Sequence, residues 1–360
     1  MTKTKTKVAI ISQSLEGGGA ERFAVTLSHI LNSLNYEIHN VVINDKIDYI
    51  PRGVIYNLEI ESSHLNWLYR KIKKGILLNK YLKENNIEVI IDNRTRIGIL
   101  KEFITKLIYS NRRVFYLIHS YKTENYLPNS LFFAKIIYSN AEKLICVSKA
   151  IQNIILDKYK FKNTFVIYNP FDLFPNIEDK KIDFLEKYIL FFGRFDEKVK
   201  NFNLMLGAFN KSEIYKKGYK LIIMGQGKDE ELIKLKIQEL YLQNNVKIIP
   251  FQKNPFLYVK NARYTVLTSK YEGFPMSIIE SLGVGTPVIS VDCKSGPSEV
   301  IINEYNGLLI ENNNEKLLSV AFKRFIDDDL LYNFCKGNAQ KSIEYLSMTN
   351  IGYQWQKILS

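Results

Sequence analysis

Three cysteines in 360 residues, Cys146, Cys293 and Cys335, are too few and too widely spaced for a disulfide framework or a zinc site, which fits a reducing compartment. No apolar run is long enough to cross a bilayer as a helix. The basic start Met1–Lys7 leads into Val8–Ser12, an apolar stretch too short for a signal-peptide core. These absences give the expectation of a cytoplasmic protein, with peripheral attachment to the inner face of the plasma membrane left open. Repeats of solenoid length and low-complexity tracts are also missing, which excludes repeat architectures. Acidic residues are in deficit: 37 Asp and Glu stand against 50 Lys and Arg, a net charge of +13. That excess points to an anionic partner, whether a nucleic acid, a membrane surface or phosphorylated ligands, or else reflects codon usage that favours lysine.

The remaining composition is that of a globular chain with room for two domains. Short apolar runs alternate with helical periodicity from the start. Val8–Ser12 reads as a buried strand, followed by Leu15-Glu16-Gly17-Gly18-Gly19-Ala20-Glu21-Arg22 and a helix to about Asn35. Strand, glycine loop and helix in that order form the layout of a phosphate-binding turn. Gly-Lys-Ser/Thr and the G-x-G-x-x-G spacing are both absent, so neither a P-loop nor a dinucleotide fingerprint is present. The three glycines either bring backbone close to a ligand or supply a flexible turn. Strands are predicted at Ile38–Ile43, Val54–Leu58, Val89–Asp92, Val114–Ile118, Lys143–Val147 and Phe165–Ile167. Alternation of this kind implies a parallel sheet covered on both faces, with ligands beyond the carboxyl ends of its strands. His119, the Arg94/Arg96 loop and the glycine loop all lie at such ends. A helix over about Leu65–Glu84 interleaves Arg70, Lys71, Lys73, Lys74, Lys80 and Lys83 with Trp67, Leu68, Tyr69 and Ile72. It suits either an anionic bilayer surface or a sheet-packed surface helix.

Asn169-Pro170 and the polar stretch Pro175–Lys181 read as a linker, after which the pattern restarts. Strands are predicted at Tyr188–Phe192, Lys220–Met224, Val246–Pro250, Tyr264–Thr268 and Pro287–Val291. The first ends in Gly193-Arg194, with Lys198 and Lys200 before the next helix. The second ends in Gly225-Gln226-Gly227. The fourth runs into Glu272-Gly273-Phe274-Pro275-Met276-Ser277, a helix carrying Glu280, and then Gly285-Thr286-Pro287. Pro275 suits the first helical position, and Gly283 or Gly285 suits the helix end. Amide groups at the start of such a helix attract an anion. Asp327-Asp328-Asp329 interrupts amphipathic helical sequence and reads as a solvated helix start. The tail is helical, over about Glu315–Phe325, Asp328–Tyr345 and Thr349–Leu359.

Taken together, the glycine loop, His119, Gly193-Arg194…Lys200, Gly225-Gln226-Gly227, Glu272-x7-Glu280 and Gly285-Thr286-Pro287-Val288 resemble the family 4 retaining glycosyltransferases, notably bacterial enzymes of surface-polysaccharide assembly, over nearly the whole chain. The resemblance implies an α/β GT-B fold, two Rossmann-like doubly wound parallel-sheet domains facing a cleft. Residues 1–170 would form an acceptor-binding domain on which a last helix, about 346–360 with Tyr353, Trp355 and Leu359, packs back. Residues 171–345 would bind a nucleotide-sugar, and the domains would close over it. The implied catalytic set is Glu272, His119, Arg194 and Lys200. Arg194 and Lys200 would neutralise the diphosphate, Glu272 would contact the transferred sugar, and His119 would bond the sugar or support the reacting face. Many family members carry the lysine five positions after the arginine. Here Lys198 and Lys200 stand at four and six, and Lys200 is chosen because Asn201 and a helix follow it. The implied substrate-binding set is Gly18, Gly19, Gly193, Gly225, Gly227, Gly273, Phe274, Pro275, Met276, Ser277 and Glu280, the last accepting the ribose hydroxyls. No metal or other cofactor is implied, and no nucleic-acid partner. The donor would be a nucleotide-sugar, on the Ser295–Ile301 segment a UDP-hexose or N-acetylhexosamine, with GDP-mannose the alternative and sugar-nucleotide epimerisation a further one. The acceptor would be a saccharide, on the basic charge one linked to polyprenyl diphosphate in surface glycan or lipopolysaccharide synthesis.

Overall fold

Parallel pairing of short apolar runs builds both halves of the chain. The computed structural model describes residues 5–64, 66–171 and 187–360. Contacts divide the chain into two units, Met1–Pro170 with Met348–Ser360, and Phe171–Ser347. The Pro175–Lys181 stretch read as linker lies outside the described residues.

In the first unit the strands are β1 (Lys7–Ser12), β2 (Glu37–Val42), β3 (Val54–Asn57), β4 (Val89–Asp92), β5 (Arg113–Ile118), β6 (Lys143–Cys146) and β7 (Thr164–Val166). They run parallel in the order β3-β2-β1-β4-β5-β6-β7. The helices are α1 (Gly19–Ser33), α2 (Trp67–Glu84), α3 (Ile99–Ile108), α4 (Leu131–Tyr138) and α5 (Lys149–Ile154). Phe23, Leu27, Ile30 and Leu31 recur at helical spacing on α1, and that stripe joins Val8, Ile10 and Leu117 in one core cluster. Helix α2 starts at Trp67, where the Asn66 side chain accepts from the Tyr69 N–H at 3.2 Å; Leu65, read as its first residue, lies outside the described residues.

In the second unit the strands are β8 (Lys187–Arg194), β9 (Tyr219–Gln226), β10 (Val246–Pro250), β11 (Thr265–Leu267), β12 (Val288–Asp292) and β13 (Gly307–Glu311). Their order is β10-β9-β8-β11-β12-β13, again parallel. The helices are α6 (Glu197–Lys200), α7 (Phe202–Ser212), α8 (Glu230–Glu239), α9 (Phe256–Asn261), α10 (Met276–Gly283), α11 (Pro297–Val300), α12 (Glu315–Asp327) and α13 (Asp329–Ser342). Strand β13 is absent from the sequence reading. Asp328 caps α13 by accepting from the Leu331 N–H at 2.9 Å, and Asp329 pairs with Arg263, so the acidic triplet is a helix start. At the end of α10 the positive φ of +81° falls on Gly285, whereas Gly283 is needed for space: a Cβ there would lie 2.0 Å from the Phe171 ring.

The last helix, α14 (Met348–Leu359), belongs to the first unit. Ile351, Trp355 and Leu359 enter its core, and Gly352 lets the helix approach Ile30 and Leu34. Arg113 of β5 donates to the carbonyls of Leu359 (2.6 Å) and Ile358 (3.0 Å), satisfying the C-terminal end of α14. Tyr353 stays on the exposed face.

Candidate active site

Each sheet has one place where neighbouring strands send their connections in opposite directions, and ligands of open parallel sheets bind at such points. In the first unit it lies between β1 and β4, where Ile11 pairs with Asp92. The glycine loop leaves β1 there, Asn93 follows β4, and His119 follows β5. Gly17 has φ +73°, a conformation that favours glycine. Gly18 caps α1 without a side chain, and a Cβ on it would lie 2.1 Å from a Glu21 carboxylate oxygen. Its N–H donates to the Glu16 carbonyl at 2.9 Å, so its use toward a phosphate requires that turn to open.

Asn93 joins this loop to His119. Its amide nitrogen donates to the Ala20 carbonyl at 2.9 Å, which leaves Oδ1 to accept from His119 Nε2 at 2.6 Å. The imidazole is thereby held as the Nε2–H tautomer, edge-on to Phe23 with ring centroids 5.1 Å apart. Its Nδ1 is buried and finds no hydrogen-bond partner among the described residues. Burial, helped by the positive charge of Arg96, pushes the His119 pKa down to about 3, so the ring is neutral near pH 7 and Nδ1 offers a lone pair to a hydroxyl. The depressed value sets a sign. Between the unfolded pKa of about 6.5 and the folded one, only the unfolded chain takes the proton, so stability falls as pH drops through that window. Denaturant unfolding at pH 7 and pH 5 should show this loss for the native chain and a smaller one for His119→Asn.

The Arg94/Arg96 loop is not a ligand loop. Arg94 is buried in a two-pronged contact with Asp92 (Nη2–Oδ2 2.6 Å, Nε–Oδ1 2.9 Å) and reaches Glu102 at 3.3 Å. Arg96 donates to the carbonyls of Leu117, Arg94, Asp92 and Tyr126. Both guanidinium groups are already enclosed by internal acceptors.

In the second unit the switch point lies between β8 and β11. Strand β8 ends on Arg194 and is followed by the short helix α6, and the loop after β11 carries Glu272. Lys200, the last residue of α6, places Nζ 2.6 Å from Glu272 Oε1, and Ser269 Oγ donates to that same oxygen at 2.6 Å. Asn201 follows in the left-handed region, a common helix ending for asparagine, and turns the chain into α7. Thr268 Oγ1 donates to the Lys200 carbonyl at 2.8 Å, so the end of β11 fixes the backbone that carries the lysine. Lys198 is exposed, and Arg194 is exposed at the end of β8 with no ion pair among the described residues.

Glu272 itself is set by the loop after β12. Its N–H donates to the Lys294 carbonyl at 3.1 Å, and Ser295 Oγ donates to the Gly273 carbonyl at 2.8 Å. Gly296 lets that loop close up, since a Cβ there would lie 2.4 Å from Pro275 Cδ. Pro275 is the N-cap of α10 rather than its first helical residue, and its ring makes no cap hydrogen bond. Met276 and Ser277 open α10, Phe274 is buried just before it, and Glu280 is buried one turn further on. Gly225 and Gly227 have packing reasons of their own, whereas a Cβ on Gly193 would come no nearer than 3.5 Å to the Phe191 ring. Gly193 and Gly225 are paired across β8 and β9, where a Cβ on Gly225 would stand 1.9 Å from the Gly193 carbonyl oxygen; one on Gly227 would stand 2.3 Å from that of Phe195.

Asn93, Ser269 and Ser295 are the positioning residues that the sequence reading did not single out. The available signal was a small polar residue at a strand end, next to a candidate. Among the described residues no group of three or more His, Cys, Asp or Glu could hold a metal ion.

Comparison with known proteins bears on the family and the fold. Residues 17–173 match the model for Glycosyltransferase Family 4, and residues 175–342 match that for Glycosyl transferases group 1. The chain is 31% identical over 349 residues to the N-acetylgalactosamine-N,N'-diacetylbacillosaminyl-diphospho-undecaprenol 4-alpha-N-acetylgalactosaminyltransferase of Campylobacter jejuni, covering 93% of this chain and 94% of that protein. It is 26% identical to the amylovoran biosynthesis glycosyltransferase AmsD of Erwinia amylovora, over 91% and 92% of the two chains. Among solved structures, Staphylococcus aureus TarM, crystallised with UDP and alpha-GlcNAc-glycerol, superposes with a TM-score of 0.80 at 16% identity over 99% of this chain and 100% of that one. Anabaena HepE in complex with UDP superposes at 0.80 with 18% identity, over 98% and 99%. Likeness at that identity extends to the GT-B fold.

Proposed function

Because the chain belongs to the family 4 glycosyltransferases, we propose that it moves a hexose or N-acetylhexosamine from a UDP-linked donor to a lipid-linked saccharide in bacterial surface-glycan assembly. The observation that carries the reading is the meeting of Lys200, Glu272 and Ser269 in the loops that lead to the start of α10. One of the three ammonium N–H groups of Lys200 is engaged by Glu272, and the others suit a phosphate. Arg194 adds a forked donor at the same strand end. Oε2 of Glu272 accepts from a sugar hydroxyl, and the buried Glu280 accepts from the ribose. In the first unit, Nδ1 of the neutral His119 ring accepts from a substrate hydroxyl.

The chemistry follows from where charge develops. The anomeric C–O bond to the diphosphate breaks, and negative charge grows on the leaving group, where Lys200, Arg194 and the α10 amides stabilise it. The acceptor oxygen bonds the anomeric carbon on that same face, and its proton passes to a diphosphate oxygen. Configuration is thereby retained. Two side-chain cations meet the diphosphate charge, so no metal enters the step. The C. jejuni relative, an N-acetylgalactosaminyltransferase named for a diphospho-undecaprenol-linked saccharide, supports a lipid-linked acceptor. The UDP held by similarly folded proteins supports the base.

A thermal-shift panel of UDP, GDP, ADP and their sugars tests the donor. At about a hundredfold excess over its Kd, UDP should raise the melting temperature by about 5 °C or more. A response to GDP alone would replace the UDP reading with a GDP-sugar. Transfer to a polyprenyl-diphosphate saccharide should persist in EDTA with the anomeric configuration kept. Donor breakdown equally fast without acceptor would point to epimerisation or hydrolysis.

A further inference from the structure

Helix α3 is inside out. Its buried residues include Glu102 and Thr105, whereas Ile99, Leu100, Phe103, Ile104 and Leu107 are exposed, Leu100 by 75%. The inversion has an internal cause: Arg94 draws Glu102 into the unit through their ion pair, which turns the apolar side of the helix outward. The face extends beyond α3. Helix α3 packs against both α2 and α4, with Gly75 of α2 against Ile108 and Lys106 donating to the Ile136 carbonyl at 2.5 Å. Leu68 and Ile72 on α2 and Phe132 at the start of α4 are more than half exposed. Of the 18 residues of α2, only Leu78 and Leu82 are buried, so its apolar first half is not covered by the sheet. The whole face lies within the first unit.

Charge selects the occupant. Lys71, Lys73, Lys80, Lys101 and Lys135 are exposed on these three helices, and the only acidic residues on them are Glu84 and the buried Glu102. A second copy meeting this face across a two-fold axis would bring lysines against lysines. A bilayer with anionic headgroups offers a counter-charge to the lysines and an apolar layer to the leucines and phenylalanines. Trp67, with Lys71 Nζ 4.4 Å from its ring centroid, supplies the aromatic-plus-basic pairing suited to a headgroup layer. Among the described residues no helix is long and apolar enough to cross a membrane, so the contact is one of lying on the surface.

We infer that the exposed face of α2, α3 and α4 docks this enzyme on an anionic lipid bilayer. The inference deepens the lipid-linked acceptor reading and rests on it for its purpose, but its test uses neither donor nor acceptor, so the two can fail separately.

The test is flotation of the full chain with phosphatidylcholine vesicles, with and without phosphatidylglycerol. The native chain should float with the anionic vesicles and much less with the neutral ones. Leu100→Ser with Phe103→Ser should lower the bound fraction about tenfold, as should charge reversal at Lys71, Lys73 and Lys101, while melting temperature and circular dichroism stay unchanged. Three results overturn the proposal. One is native protein that stays out of anionic vesicles at low salt. The second is equal flotation of native and serine variants. The third is a native dimer that the serine variants dissociate while vesicles bind neither, which would make the face a self-association surface.

Discussion

Lys200→Ala is expected to lower the rate of transfer by about a hundred- to a thousandfold, the usual cost of removing one charge-stabilising group from a transition state. The effect should fall mainly on kcat, because charge on the diphosphate grows as the anomeric bond breaks. Lys200→Arg should recover little of it. The Nζ position is fixed from two sides, by the left-handed turn at Asn201 and the Thr268 hydroxyl on the Lys200 carbonyl, and a planar fork does not fill the place of a compact ammonium. Stability should change little, since Ser269 still donates to Glu272 when the lysine is gone, and the pair is partly open to solvent. Glu272→Ala should cost a comparable factor, by removing both the sugar contact and the group that holds Lys200 in place. Steady-state kinetics on the two variants and on Lys198→Ala checks the assignment. A Lys198→Ala loss matching that of Lys200→Ala would overturn it.

Arg94→Met is expected to be the most destabilising single change, by about 3–5 kcal/mol. Asp92 is fully buried, and Arg94 gives it three side-chain hydrogen bonds and a backbone one. Without the guanidinium, Asp92 and Glu102 are left as buried acids near one another. Arg96 is a poor substitute: its closest approach to the Asp92 carboxylate is 4.0 Å, and its hydrogen bonds go to carbonyls. For a unit of this size the loss corresponds to a fall in melting temperature of about 6–20 °C. Adding Asp92→Leu and Glu102→Leu to Arg94→Met should recover much of it, because an apolar core of similar volume has no charge to compensate. Melting curves of the single and triple variants decide. A single variant as stable as the native chain would mean that the network contributes nothing.

Most of the parallel strands were legible because each is a short apolar run bounded by turn residues, and the β–α alternation admits few arrangements. Strand β13 escaped because it is a five-residue run wedged between a one-turn helix and a long one, where periodicity has too little length to register. The Glu272, Lys200 and His119 positions were legible from their places at strand ends. What stayed hidden was partnership. Arg94 and Arg96 look like anion ligands in a polar loop until Glu102, eight positions beyond Arg94, and the Leu117 carbonyl are seen to enclose them. Gly225 and Gly227 look like a phosphate turn, yet the neighbouring strand's backbone leaves no room for a side chain. Likewise the inversion of α3 cannot be read from its own pattern, which is amphipathic whichever side faces inward; the Arg94 contact decides it. Local sequence reports period and chemistry, and long-range contacts decide which groups are already in use.

The return of α14 to the first unit bears on how the protein is made. Ordinarily a domain can complete its core once its own stretch has left the ribosome, earlier than whatever follows. Here Ile351, Trp355 and Leu359 belong to a core whose other buried members come from the first 170 residues, and Phe171–Ser347 is synthesised in between. The first unit is therefore completed only after the stretch that forms the second has been made. During synthesis of the intervening stretch it carries an open apolar seam beside Ile30 and Leu34 that only α14 can close. Premature termination anywhere in Phe171–Ser347 would leave that seam uncovered, a ready target for the cell's quality control.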